Sequence, residues 1–303
     1  MTISATELLE VAPKDPAYIV VIGPRIVTVN ANTSTPGTVP NGSFAVLNTS
    51  TETARVFTGL TTSTGHSRLG GVVTDGTYAY AYSVNGTGVW RINPVDGGIA
   101  TLSGPGGDGG YGEPLWGGPV GIASGYMVLL ALDGWGWGSR RINLSDGSSV
   151  SVSGTFGYGY SAIASAGGYV YARTYAMGGF LKLDLPANAI VGTWPSPAVA
   201  GYGLEYSGKL WFGDGGTGLH SFNLTTNLWL SYSHASLGAG NNTASFTQAN
   251  GWLFNLTSTG YLLGFNPATG AWGAELLPSS RTHRYGVVGV GSKLWSPAGD
   301  PLT

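Results

Sequence analysis

Short apolar and aromatic runs alternate with turns rich in Gly, Ser, Thr and Asn along almost the whole chain, and the pattern is fullest between Asn250 and Leu276. Gly251 leads into Trp252-Leu253-Phe254, a run of strand composition, and Ser258-Thr259-Gly260 turns into a second run, Tyr261 to Phe265. Asn266-Pro267-Ala268-Thr269-Gly270 predicts a tight reversal. Pro267 stands where the turn needs φ fixed by the ring and Gly270 where φ turns positive, so that Ala271 to Glu275 returns as a third strand. Thr243 to Gln248 supplies a strand ahead of these three, completing an antiparallel meander of about forty residues.

The same unit recurs in order. The strand after its first turn is read at Arg25-Ile26-Val27, Tyr78-Ala79-Tyr80, Tyr126-Met127-Val128, Tyr169-Val170-Tyr171, Leu210-Trp211-Phe212, Trp252-Leu253-Phe254 and Leu294-Trp295. The turn after its third strand is read at Asn48, Asn93, Asn143, Asp184, Asn223 and Asn266. Repeats of this length predict an all-β chain folded as a single β-propeller, with seven blades of four-stranded antiparallel sheets at about 17–59, 69–103, 119–153, 160–194, 201–232, 243–277 and 285–303. The last blade shows two strands, Tyr285 to Val290 and Lys293 to Ser296, so residues 1–16 are expected to close or share that blade, or to serve in assembly. In that segment, Ser4-x-x-Glu7 ahead of Leu8-Leu9 fits a helix capping box, and Ile3 to Val11 fits an edge strand equally well. The Gly-turned aromatic strand followed by an N/D-P-x-T-G-x-W turn resembles the kelch and quinoprotein-like propeller repeats. This resemblance implies architecture over nearly the whole chain and is nearly silent about activity.

Hydrophobic residues make up 42% of the chain, enough to fill such a core, while charged residues at 9% lie far below the usual ~25%. The surface is therefore mostly Gly, Ser, Thr, Asn and aromatic. Thirteen basic against 15 acidic residues and a pI near 6.0 leave no electrostatic footprint for nucleic acid or anionic lipid. The absence of cysteine excludes disulfides, thiolate metal sites and cysteine nucleophiles. N-x-S/T triplets begin at Asn32, Asn41, Asn48, Asn85, Asn143, Asn223, Asn241 and Asn255, mostly in the repeat turns, where local turn chemistry accounts for them. Met1 to Glu7 lacks the basic start and apolar run of a signal peptide, and no stretch approaches the ~20 apolar residues of a membrane span. An external type of surface without a visible export signal fits a virion protein, made in the host cytoplasm and released by lysis. The Gly-, Thr- and Trp-rich, low-charge texture resembles bacteriophage minor tail proteins. That resemblance implies host surface glycan or neighbouring virion proteins as partners and calls for no cofactor.

The first strand of each unit is built of small residues around a β-branched centre, as in Gly70-Gly71-Val72-Val73 and Ser161-Ala162-Ile163-Ala164, which suits crowding near a propeller axis. Glu205 and Gln248 break this rule at matching places and are expected to line the axial channel. Connections at Ser103 to Gly118, Leu132 to Gly138, Gly154 to Gly159 and Thr174 to Gly178 are long and are expected on one face, opposite minimal turns such as Ser207-Gly208. They carry Tyr111, Trp116, Trp135, Trp137, Tyr158 and Tyr175, rings suited to stacking on sugars or a partner protein, or to packing against one another. His66, His234 and His283 also lie in connections, with Arg68, Arg281 and Arg284 close by. They resemble the metal-holding histidines of some propeller polysaccharide lyases. Their spacing forms no ligand motif, so they are weak metal candidates and no metal site is expected. Asp108, Glu113, Asp133 and Asp214 are candidate glycosidase carboxylates whose separation the sequence leaves open. Two functions follow: a non-enzymatic propeller presenting an aromatic loop face, or a carbohydrate-active lyase or hydrolase. The first is favoured by the lack of any acidic or histidine constellation.

If the N-terminal segment completes the seventh blade, deleting residues 1–12 lowers the melting temperature of the whole domain. An unchanged melting temperature, read by differential scanning calorimetry, assigns the segment to assembly instead.

Overall fold

The computed structural model describes residues 16–30, 43–60, 69–83, 88–102, 120–130, 139–152, 160–174, 179–239, 246–257, 259–276 and 287–295. They fall in two compact units, one within 9–152 and one within 153–303. The first unit holds three four-stranded antiparallel sheets. These are β1 (Pro16–Ile22), β2 (Arg25–Asn30), β3 (Ser43–Asn48) and β4 (Thr53–Thr58); β5 (Leu69–Thr74), β6 (Ala79–Ser83), β7 (Val89–Ile92) and β8 (Ile99–Leu102); and β9 (Val120–Ala123), β10 (Tyr126–Leu129), β11 (Arg140–Asn143) and β12 (Ser149–Ser151). In the second unit, β13 (Tyr160–Ala166), β14 (Tyr169–Thr174), β15 (Gly179–Asp184) and β16 (Ala189–Pro195) form one meander. β17 (Ala200–Tyr206), β18 (Lys209–Gly213), β19 (Gly218–Asn223) and β20 (Trp229–Ser233) form the next. A further sheet joins β21 (Thr247–Ala249), β22 (Trp252–Leu256), β23 (Tyr261–Asn266) and β24 (Ala271–Leu276), and β25 (Val288–Val290) pairs with β26 (Lys293–Trp295).

Six of the expected four-stranded meanders are present, with one addition; the seventh repeat shows the pair β25–β26, and residues 1–15, expected to close it, lie outside the described residues. β13 and β17 pair in parallel, Ala162 with Gly201 and Ile163 with Tyr202, which merges two meanders into one eight-stranded sheet. One of the two pairs is small, Ala162 with Gly201, and the other, Ile163 with Tyr202, is not. The reason for smallness on first strands is local: a Cβ on Gly71 would strike the Tyr82 ring, and one on Gly203 would strike Phe212, each on the neighbouring strand of its own sheet.

Two-residue alternation assigns each strand a face toward each neighbour. On β6, Ala79 and Ala81 join the core shared with the first sheet, beside Phe44, Val27 and Trp90, whereas Tyr80 and Tyr82 join Met127, Leu129 and Ile142 of the third sheet. In the second unit the seams are aromatic. Phe180, Phe212 and Phe222 pack with Trp194 and Trp229 between the first two meanders, with Phe180 and Trp229 centroids 4.9 Å apart. Trp211, Phe265, Tyr232 and Trp272 fill the following seam.

Each turn after a third strand closes by one mechanism. The Asn side-chain Oδ1 accepts the backbone N–H two residues on at Ser50, Val95, Ser145, Thr225 and Ala268, at 2.9–3.0 Å, and Asp184 accepts that of Ala187 at 3.0 Å. The fifth residue of every such turn is left-handed: Glu52, Gly97, Gly147, Asn188, Asn227 and Gly270 have φ between 53° and 79°. Backbone bonds from Thr49 to Pro24, Leu144 to Gly125 and Leu224 to Gly208 tie this turn to the one between strands one and two.

Two of these glycines separate backbone strain from crowding. A Cβ on Gly270 meets nothing within 4 Å, while one on Gly97 runs into the Phe57 ring. Gly270→Ala is expected to cost about 1 kcal/mol from the left-handed backbone alone. Gly97→Ala is expected to cost more than ~2 kcal/mol, because overpacking is added. Urea unfolding midpoints of the two variants check the order.

Candidate functional site

The ends of the strands show where the long connections attach. In the first unit, β8 ends at Leu102 and β9 begins at Val120; β10 ends at Leu129 and β11 begins at Arg140. Both connections therefore leave the same end of adjacent sheets that share one buried seam. Their rings, Tyr111, Trp116, Trp135 and Trp137, lie outside the described residues, as do Tyr158 and Tyr175. So do His66 and His283, the arginines near them, and the carboxylates Asp108, Glu113 and Asp133.

His234 is described and is a packing residue. It is buried at 1% exposure, its ring centroid is 5.1 Å from that of Trp272, and its backbone N–H donates to the Thr217 carbonyl at 3.1 Å. It leads into the 3-10 turn Ala235–Leu237. No group of three or more His, Asp or Glu side chains able to hold a metal occurs among the described residues. Glu205 and Gln248 occupy equivalent register positions, opposite Leu210 and Leu253. Glu205 is exposed and Gln248 half-buried. The Tyr171 hydroxyl is pushed above its usual range, chiefly by burial, then by Tyr169 and by the Glu205 charge. Leu204 and Tyr206, on either side of it, pack in the seam with the following sheet, so by alternation Glu205 stands on the side that meets the preceding meander.

A polar row escaped the sequence reading. Asp214, in the turn between β18 and β19, accepts the Gly216 and Gly218 N–H groups on Oδ1 at 2.7 and 3.0 Å. Its Oδ2 lies 3.8 Å from His220 Nε2, and His220 Nδ1 lies 2.9 Å from Ser231 Oγ across the strands. The order is serine, imidazole, carboxylate. The carboxylate, however, sits beyond hydrogen-bonding distance and spends its other oxygen on the turn. Burial pushes the His220 pKa down, against an opposing pull from Asp214, so the ring is neutral near pH 7. The row links the β18–β19 turn to two strands, β19 and β20. Asp214-Gly-Gly-Thr-Gly-Leu-His220 carries the signal in sequence, since an Asx turn returns the carboxylate over a residue six further on.

At the opposite end of the sheets, cations lie over rings. Arg91 stands 4.9 Å from the Tyr78 centroid, Arg141 4.6 Å from Tyr126 and Lys182 3.7 Å from Tyr169. In each case the cation is two residues before the turn Asx and reaches diagonally to a ring at the start of strand two, Tyr78 standing one residue ahead of β6. Each contact contributes roughly 0.5–1 kcal/mol at such partly exposed positions.

No protein-family profile matches the chain, and no curated protein sequence matches it. Solved structures do. The computationally designed Ika8 protein superposes with a TM-score of 0.59 at 12% identity, over 95% of this chain and 95% of its own. BamB from Moraxella catarrhalis, a β-propeller, superposes with a TM-score of 0.57 at 13% identity, over 95% of this chain and 81% of its own. The fold is a β-propeller. At this identity the likeness is one of fold alone, and the propeller's function rests on its own residues.

His220 gives the propeller a calculable acid sensitivity. Its folded pKa lies below the ordinary 6.5, so as pH falls through 6.5 the unfolded chain takes up the proton first. The stability contributed by the neutral ring is present above pH 6.5 and lost as pH drops toward the folded value. His220→Asn is expected to flatten the fall in urea midpoint between pH 7.5 and 5.5, and equal slopes in both proteins would refute this role.

Proposed function

We propose that the chain is a non-enzymatic binding propeller, which presents aromatic side chains on its long connections to a host surface glycan or a neighbouring protein of a virion. One observation carries this reading: the connections that hold Tyr111, Trp116, Trp135 and Trp137 leave a single end of two adjacent, rigidly packed sheets. The other end of those sheets carries short turns whose polar groups are satisfied within the turn. Rings on a scaffold of this kind add contact area at little cost in rotamer entropy. The virion setting is supported by the chain's low charge and its Gly-, Thr- and Trp-rich texture.

The carbohydrate-active alternative has weaker support. His234 is enclosed by packing, and the Asp214 carboxylate serves its own turn. Incubation with cell-wall polysaccharides, with and without a chelator, separates the readings, because depolymerisation would establish the enzyme.

Trp135→Ala with Trp137→Ala is expected to abolish binding to host cells or to the partner protein while the fold survives. Each ring contributes on the order of 1 kcal/mol when it stacks, so a single replacement lowers affinity only several-fold. Binding and melting temperature are measured together. A folded double variant that still binds removes the aromatic face from consideration, and one that fails to fold makes these tryptophans packing residues.

A further inference from the structure

The turn end of the first two sheets holds a cleft of about 170 Å³ between the β2–β3–β4 face and the β7–β8 turn. Arg25, Asn48 and Thr53 lie side by side across three strands, and Val46 and Arg55 stand in the next row on the same face. Pro94 and Val95 form the opposite wall. This cleft lies at the end of the sheets opposite that at which β8 and β10 end.

The cleft is lined with donors. Arg25 is half-buried and Arg55 exposed, and no carboxylate among the described residues forms an ion pair with either guanidinium. Glu52 and Asp96 occupy the adjoining turns, but Asp96 directs Oδ1 to the Gly98 N–H at 2.8 Å. Asn48, which also lines the cleft, accepts the Ser50 N–H on its Oδ1, so its remaining side-chain group is the Nδ2 donor. The Thr53 hydroxyl shares a hydrogen with Thr51 at 2.7 Å. Arg55 lies 5.0 Å from the Phe57 ring centroid, and Phe57 in turn stacks on Phe44 at 5.0 Å. The guanidinium therefore rests on a shelf that the core holds in place.

Both guanidinium groups line one small cleft, and neither has a carboxylate partner among the described residues. Elsewhere this charge-poor chain lays its cations on rings, as Arg91 and Arg141 do. Arg25 makes no such contact among the described residues. A guanidinium fork matches the two oxygens of a carboxylate, phosphate or sulfate. The volume is well below the ~300–1,000 Å³ of a site that encloses a drug-sized ligand, so it suits one charged group at the end of a larger molecule.

We propose that this cleft binds a single oxyanion group of a ligand, through the guanidinium forks of Arg25 and Arg55 with Asn48 and Thr53 as neutral partners. Calorimetric titration of the full chain with sodium phosphate, sodium sulfate and sodium galacturonate, at one fixed ionic strength, tests it. At least one anion is expected to saturate at one per chain, and which of them does so identifies the source of the charge. In Arg25→Gln/Arg55→Gln the affinity is expected to fall at least tenfold. Arg25→Lys/Arg55→Lys, which keeps the charge and loses the fork, is expected to show a smaller loss, and exposed Arg55→Gln alone carries the test if the double variant does not fold. Arg140→Gln, at the other end of the third sheet, is expected to bind as the wild type does. Absence of saturation by all three anions, an unchanged affinity without the two arginines, or an equal loss on changing Arg140 would overturn the proposal.

Discussion

The structure depends on rings from one sheet being buried against the small and aliphatic residues of the next. A four-stranded meander has two faces and no means of covering either by itself. On β6 the two faces are sorted by residue size, with Ala79 and Ala81 toward one neighbour and Tyr80 and Tyr82 toward the other. In the second unit Phe180, Phe222 and Trp229 extend the same arrangement into a nearly all-aromatic seam. Full burial of a side chain of this size contributes about 1.5–3 kcal/mol, whereas a surface cation over a ring contributes roughly 0.5–1. Packing between sheets therefore dominates, and a surface with few charges costs the fold little.

That division of labour releases the two ends of the sheets for different uses. At one end, each hairpin is closed by an Asx side chain and a left-handed fifth residue, so the backbone satisfies its own polar groups within a few residues. At the other, seventeen residues separate Leu102, where β8 ends, from Val120, where β9 begins. Length can vary at that end without disturbing any strand register, because the register is fixed at the opposite end.

Most of the strand plan was legible in the sequence because its signals are local. Period-two alternation and the Asn-to-Gly turns act within a few residues, and the strand-two runs from Arg25-Ile26-Val27 to Leu294-Trp295 lie on strands, with Tyr78 alone among them standing one residue ahead of its strand. Less visible were contacts that depend on register. Arg91 meets Tyr78 and Arg141 meets Tyr126 by a diagonal step across two strands, which residue spacing alone does not reveal. The same is true of His220 and Ser231, brought together only by the pairing of β19 with β20. Gly71 was legible as small, but the reason, the Tyr82 ring at its Cα, required the fold. His234 was readable as a residue in a connection, and only its enclosure against Trp272 gave it a packing role.

The left-handed fifth position of the turns also bears on how the chain reaches its native state. Since each turn encodes its own reversal, strands three and four of a unit meet across only a few residues, and strands one and two across a tight hairpin. Such contacts form in microseconds and require little loop closure. The longest-range strand pairing among the described residues is that of Ala162 with Gly201, and it joins two meanders that are each complete without it. A nascent chain can therefore form its sheets one after another as they leave the ribosome, each offering a finished face for the next to cover.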